Sequence, residues 1–193
     1  MKKQINLRLL KLRFIRILLA MLFSLIAISV LSCDKILEAG MDFLASQKKE
    51  VKGSMGLVKV SAPGNWVEMT DLNDEANLQI GNVFEEGYLI VISESKDDFD
   101  KMNLEEYSRI TFEPLYEGLS KRRQEKPEVF RIGNHDAIKR DLEGVIDNIN
   151  INYIHAVTET EKNFHQIVGW SLKSKFETNK PILEEIINSF QEL

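Results

Sequence analysis

The chain has 193 residues, a formal net charge of −5 and one cysteine, Cys33. A lone cysteine excludes an internal disulfide framework and a cluster of thiolate metal ligands. The acidic balance repels polyanions, so nucleic acid is not expected as a partner.

The first thirty-two residues read as a targeting segment. Lys2, Lys3, Arg8, Lys11, Arg13 and Arg16 form a basic start without an acidic residue. Ile17 to Leu31 is apolar except for Ser24 and Ser29. That run of fifteen residues suits a signal sequence. It is shorter than the ~20 residues that span a bilayer core.

Val30-Leu31-Ser32-Cys33 follows. It resembles the lipobox of bacterial lipoprotein signal peptides, with an aliphatic residue at Val30 and a small one at Ser32. The resemblance implies diacylglycerol on the Cys33 sulfur and cleavage before Cys33. It also implies a domain held by lipid on a bacterial cell membrane, outside the cytoplasm. Asp34 resembles an inner-membrane retention signal of some bacteria; other bacteria use other rules. The alternative is an uncleaved anchor with an incidental cysteine. It too leaves the domain outside, because the basic residues precede the apolar run. Removal of the six leader cations leaves a remainder of about −11.

Residues 33–55 read as a lipidated tether, either a flexible spacer or a short amphipathic helix on the headgroups through Ile36, Leu37, Met41 and Leu44. A globular domain is expected over 56–193. Gly56 to Ser61 is a first strand, ended by the turn Ala62-Pro63-Gly64-Asn65. Asn77 to Phe84 is a second. Tyr88-Leu-Ile-Val-Ile92 is apolar throughout, the pattern of a central strand covered on both faces. Asn103 and Glu106 form a capping box opening a helix. Its apolar face is Leu104, Tyr107, Ile110, Leu115 and Leu119, with Pro114 as an interruption and Lys121, Arg122 and Arg123 at its close. A meander follows: Val129–Ile132, Ala137–Leu142, Ile149–Val157 and Phe164–Leu172. A last helix is expected from Pro181, with Ile182, Leu183, Ile186, Ile187 and Phe190 on one face. Short turns between consecutive strands imply an antiparallel sheet, and the two helices cover it in an α+β, α/β/α sandwich.

This order resembles the PsbP-like fold. The resemblance rests on the Pro-Gly turn before Trp66, on YLIVISES leading into DDFDKMNLEEYSR, and on the hairpin IGNHDAIKRDLEG. The strand NFHQIVGWSLKSKF and the helix PILEEIINSF complete it. It implies a small exported module that binds a partner or aids assembly of a complex. No functional motif is carried over by position.

Catalytic signatures are sparse. No Gly-x-Ser-x-Gly, His-Glu-x-x-His or phosphate-binding loop occurs. Ser93 and Lys96 fit a Ser-x-x-Lys pattern, but Ser93 ends a strand and no Lys-Thr-Gly follows. His155 and His165 are the metal candidates: in a hairpin centred on Thr160 the two imidazoles face each other. A one-residue slip separates them to opposite faces. His135 reads as a turn residue. Glu94, Asp97, Asp98 and Asp100 lack EF-hand spacing and read as charge before a helix N-terminus. Trp66 and Trp170 read as core or half-buried residues. No cofactor and no catalytic residue are expected. The expectation is a non-enzymatic envelope module with a protein partner. The alternatives are a small-ligand or metal carrier, or an enzyme with an unfamiliar site.

Overall fold

The computed structural model describes residue 40 and residues 43–193. Cys33, the stretch read as a lipobox and the segment read as a leader lie outside the described residues. The chain divides into two units, residues 1–44 and 45–193. In the first, residues 40, 43 and 44 are helical. The second holds every strand named below. No helix among the described residues is long and apolar enough to cross a membrane.

Among the described residues, eleven strands and two further α-helices follow in chain order. The strands β1 (Lys48–Lys52), β2 (Val58–Pro63), β3 (Val67–Glu68), β4 (Leu78–Asn82) and β5 (Gly87–Ser95) come first. Then α1 (Leu104–Glu117) precedes β6 (Ser120–Gln124), β7 (Glu128–Ile132), β8 (His135–Ile146), β9 (Ile149–Glu159) and β10 (Asn163–Leu172). The helix α2 (Phe176–Asn188) and β11 (Gln191–Glu192) close the domain. The large sheet has the order β3-β4-β5-β10-β9-β8-β6, with β7 also on β8. A smaller sheet has the order β1-β2-β11. Every pairing is antiparallel. One helix lies on each face of the large sheet, so the α/β/α expectation holds.

Side chains alternate across the sheet. Leu89, Val91, Ile154, Ala156 and Ile167 face α2 and join Leu183, Ile186 and the valines of β2 in the main core. The other face packs α1 through two smaller clusters. One joins Leu104 and Tyr107 to Val157 and Phe164. The second joins Phe112 and Leu119 to Leu142 and Ile151.

The capping box forms as expected: Glu106 N–H donates to Asn103 Oδ1 at 2.9 Å, and Asn103 N–H to Glu106 Oε2 at 3.4 Å. The buried stripe of α1 differs. Leu104, Tyr107, Ser108 and Phe112 are buried, whereas Ile110 is 36% exposed. Pro114 stays inside the helix, which ends three residues later. Lys121, Arg122 and Arg123 lie on β6 instead of closing α1. Arg122 still serves the helix end, donating to the carbonyls of Tyr116 and Glu117 at 3.0 and 3.2 Å.

Two boundaries move. Residues 48–52, read as spacer, form β1 because Val51 packs into the main core against β2. The last helix starts at Phe176, not Pro181, because Phe176 and Asn179 are buried and anchor an extra turn. Pro181 sits inside that helix.

Candidate functional site

The apolar run of β5 is buried on both faces as far as Ile90, but less completely on the face away from α2. Leu89 and Val91 are fully buried under α2. On the opposite face α1 packs mainly over β8, β9 and β10 and reaches β5 through the Tyr107 hydroxyl at Glu94, leaving Ile92 partly exposed. Ile90 and Ile92 are therefore the floor of an open groove of about 490 Å³. Val168, Gln166 and Trp170 of β10 continue the floor, with Tyr153 beyond them. Ile110, Thr111, Pro114 and Leu115 of α1 form one wall, and Leu72 and Asn73 the other.

The walls are held by specific bonds. Gln79 Oε1 accepts from the N–H groups of Leu72 and Asn73 at 2.9 and 3.1 Å, and its Nε2 donates to the Asn73 carbonyl at 2.8 Å. One side chain thus fixes the loop after β3. On the helix wall, Pro114 has no N–H for the Ile110 carbonyl four residues earlier. Both residues line the groove, so the missing helix bond lies at its lip. Thr111 bonds the Tyr107 carbonyl at 2.8 Å and shares 3.1 Å with His155 Nε2.

A row of aromatics crosses one end of the groove. Trp170 is directly opposite Tyr88 on β5 and Tyr153 on β9. It stacks on Tyr88 with centroids 5.6 Å apart at 26°, and meets Tyr153 at 6.2 Å and 35°. All three are partly exposed. Trp170 is thus half-buried as expected, and it also lines a surface that sequence reasoning missed. Trp66 is buried, 1% exposed, in the main core. The signal for the groove was the surplus of apolar residues on both faces of β5. Its meaning depended on which strands α1 covers.

The histidines do not share a site. The β9–β10 hairpin pairs Glu159 with Phe164, and the loop centre falls between Glu161 and Lys162 instead of on Thr160. His155 stands opposite Val168, and His165 opposite Thr158. That register puts the imidazoles on opposite faces. His155 lies beneath α1, edge-on to Phe112 at 5.6 Å. Its burial, aided by the nearby Arg140 charge, lowers its pKa to about 3. Its Nδ1 is buried with no hydrogen-bond partner among the described residues.

His165 lies on the α2 face. Its Nδ1 is 2.8 Å from Ser93 Oγ, and its Nε2 is 3.4 Å from Thr160 Oγ1 and 3.7 Å from Glu192 Oε1. Phe190 packs on the ring at 4.8 Å. Burial pushes the pKa down to about 4, with Glu192 acting in the opposite direction. A joint metal site at His155 and His165 is therefore excluded by geometry. Among the described residues no group of three His, Cys, Asp or Glu side chains is placed to hold a metal.

The remaining candidates are dispersed. Ser93 bonds His165, while Lys96 bonds Glu159 at 2.6 Å and lies over the Phe164 ring. Glu94 accepts a 2.7 Å bond from the Tyr107 hydroxyl, which burial holds protonated by raising its pKa. Asp97 and Asp98 lie in a 3₁₀ turn capped by Ser95. His135 begins β8 at the turn, exposed.

No family model and no curated protein sequence matches the chain. Solved structures do. Cyanobacterial PsbP from Synechocystis sp. superposes with a TM-score of 0.57 at 10% identity, over 77% of this chain and 94% of that one. The Ran-binding protein Mog1p of Saccharomyces cerevisiae gives 0.54 at 15% identity, over 75% and 95%. LpqN of Mycobacterium tuberculosis, a protein involved in cell envelope biogenesis, gives 0.54 at 10% identity, over 76% and 90%. At such identities the likeness speaks for architecture, and on that ground the chain has the PsbP-like fold.

Proposed function

We propose that the chain is a lipid-anchored, extracytoplasmic and non-enzymatic binding module of the bacterial envelope. Acylation at Cys33 tethers it to the membrane, and the groove between α1 and β5 receives an apolar segment of an envelope protein. The groove carries this reading: it is open, apolar and built on a rigid sheet, with isoleucines and aromatics along its floor. Such surfaces are the ordinary seats of helical or extended partner segments. Two observations favour binding over catalysis. The polar groups nearest the groove, Thr111 and Gln166, are engaged with backbone carbonyls of α1. Ran binding and envelope biogenesis, named for two proteins of the same fold, are compatible with a binding role.

The full acylated chain tests this in native envelopes. A photo-reactive residue in place of Ile110 should form a discrete protein adduct, and one in place of the exposed Val129 on β7 should not. Ile92→Arg should abolish the adduct. Equal labelling at both positions rejects the groove as the binding surface. Its volume also lies within the range of small-molecule sites. A low-mass adduct at Ile110 assigns the chain to the carrier class instead. Cys33→Ala should release the protein from membranes, and mass spectrometry should find the acyl groups on Cys33 of the wild type.

A further inference from the structure

We infer that one end of the domain rests on the lipid surface bearing the anchor, through apolar side chains at the β4–β5 and β8–β9 turns. The inference builds on the acylation of Cys33 proposed above. Phe84 and Val83 on the first turn are 79% and 57% exposed. Ile146 and Ile149 on the second are 39% and 49% exposed. Strand register brings these turns to the same end. Gly87 of β5 stands opposite Ser171 of β10, and Leu172 stands opposite Ile151 of β9. Four strand spacings from β4 to β8 make this edge roughly 19 Å long.

The apolar side chains are held outward by bonded turns. Asn82 Oδ1 accepts from the N–H groups of Phe84 and Glu85 at 3.1 and 3.2 Å. Lys175 Nζ donates to the Phe84 carbonyl at 3.0 Å. Asp147 and Asn148 both have positive φ, 50° and 66°, as a two-residue hairpin turn requires. Rigid exposure of a large aromatic without a covering element points to a surface contact.

The route of the chain says what covers it. The Gly64 N–H donates to the Gln47 carbonyl at 2.6 Å where the polypeptide enters the domain. Two residues on, the Trp66 ring lies against Gly87, where a Cβ would come within 3.2 Å of it. The entry point is thus at the Gly87 end of the sheet. Cys33 is fourteen residues upstream of Gln47. Such a length reaches at most ~50 Å when fully extended. The opposite end also exposes apolar groups, Met55, Leu57 and Leu193, but it lies away from the entry point.

Charge defines the kind of surface. Lys173 pairs with Glu143 at 3.2 Å and Lys175 with Glu85 at 3.0 Å. Glu86 and Asp147 on the two turns add further negative charge. Exposed Lys121 and Arg122 lie near this end too, because Ser120 pairs with Val145, so the two signs are mixed there and the contact is apolar insertion at a zwitterionic interface.

The chain's single native cysteine makes the test direct. With Cys33 acylated, Ser174→Cys or Leu57→Cys supplies the one free thiol for an environment-sensitive fluorophore. The acylated chains are placed in phosphatidylcholine–phosphatidylethanolamine vesicles containing spin-labelled lipid. Quenching at position 174 should exceed that at position 57 several-fold and persist in 1 M salt. Phe84→Ser with Ile149→Ser should reduce it to the level at position 57, while circular dichroism stays unchanged. Equal quenching at both positions, an unaffected double variant, or loss in salt overturns the inference. Mass spectrometry of the same samples separates the two failures. Acylated protein without selective quenching rejects this contact alone, whereas an unmodified Cys33 rejects the anchoring.

Discussion

His155 and His165 lie on directly paired strands, yet their imidazoles occupy opposite faces of the large sheet, one beneath α1 and the other beneath Phe190. Both are fully buried and held neutral, with pKa values near 3 and 4. An unfolded histidine titrates near ~6.5. Below that pH the unfolded chain binds protons that the folded chain refuses.

Stability should therefore be complete above about pH 6.5 and fall as the pH drops toward 4. At pH 4.5 the loss is about 2–3 kcal/mol for each histidine. Urea midpoints between pH 7.5 and 4.5 measure it. His165→Gln should flatten the profile, because the amide cannot titrate. A wild-type midpoint constant over this interval would contradict the assignment of both rings as neutral.

Gln79 holds the groove loop by three bonds through one side chain. Gln79→Ala should cost about 1–2 kcal/mol in stability. Its stronger effect is local. Amide exchange at Leu72 and Asn73 should accelerate far more than exchange at core residues such as Val91. Uniform acceleration would mean that the loop opens only with the whole domain.

Pro114 breaks the hydrogen-bond ladder of α1 at the groove lip. Pro114→Ala restores an N–H to the Ile110 carbonyl and removes a ring from the helix interior. The domain should gain about 1–3 kcal/mol. A rise in the denaturation midpoint confirms it; a fall would show that packing of the proline ring outweighs the missing bond.

Gly144 on β8 admits Leu119 against the sheet. A Cβ at this position would lie 2.8 Å from the Leu119 Cβ. Gly144→Ala should push Leu119 outward and cost about 1–3 kcal/mol. Leu119→Gly, which removes the clashing Cβ itself, should suppress that extra cost in a double-mutant cycle. Additive losses would place the clash elsewhere.

Several features were legible without coordinates because their causes are local. The capping box needs Asn103 and Glu106 three residues apart, and both bonds form. Alternation and turn residues identified the meander from β7 to β10. Other features were misplaced where burial outweighs local preference. Phe176 and Asn179 pull the start of α2 ahead of Pro181, and Val51 draws a lysine-rich segment into the small sheet.

The sequence by itself determined the two helices and the long strands of the large sheet, the cap of α1, and a single thiol in a stretch that resembles a lipobox. These follow from neighbouring residues and from the chemistry of one side chain. Only the tertiary structure decided that His155 and His165 part company and that Ile90, Ile92 and Trp170 line a groove. The first depends on a hairpin centre falling between residues instead of on one. The second depends on how far α1 reaches across the sheet. Both are set by long-range packing, to which no local pattern gives access.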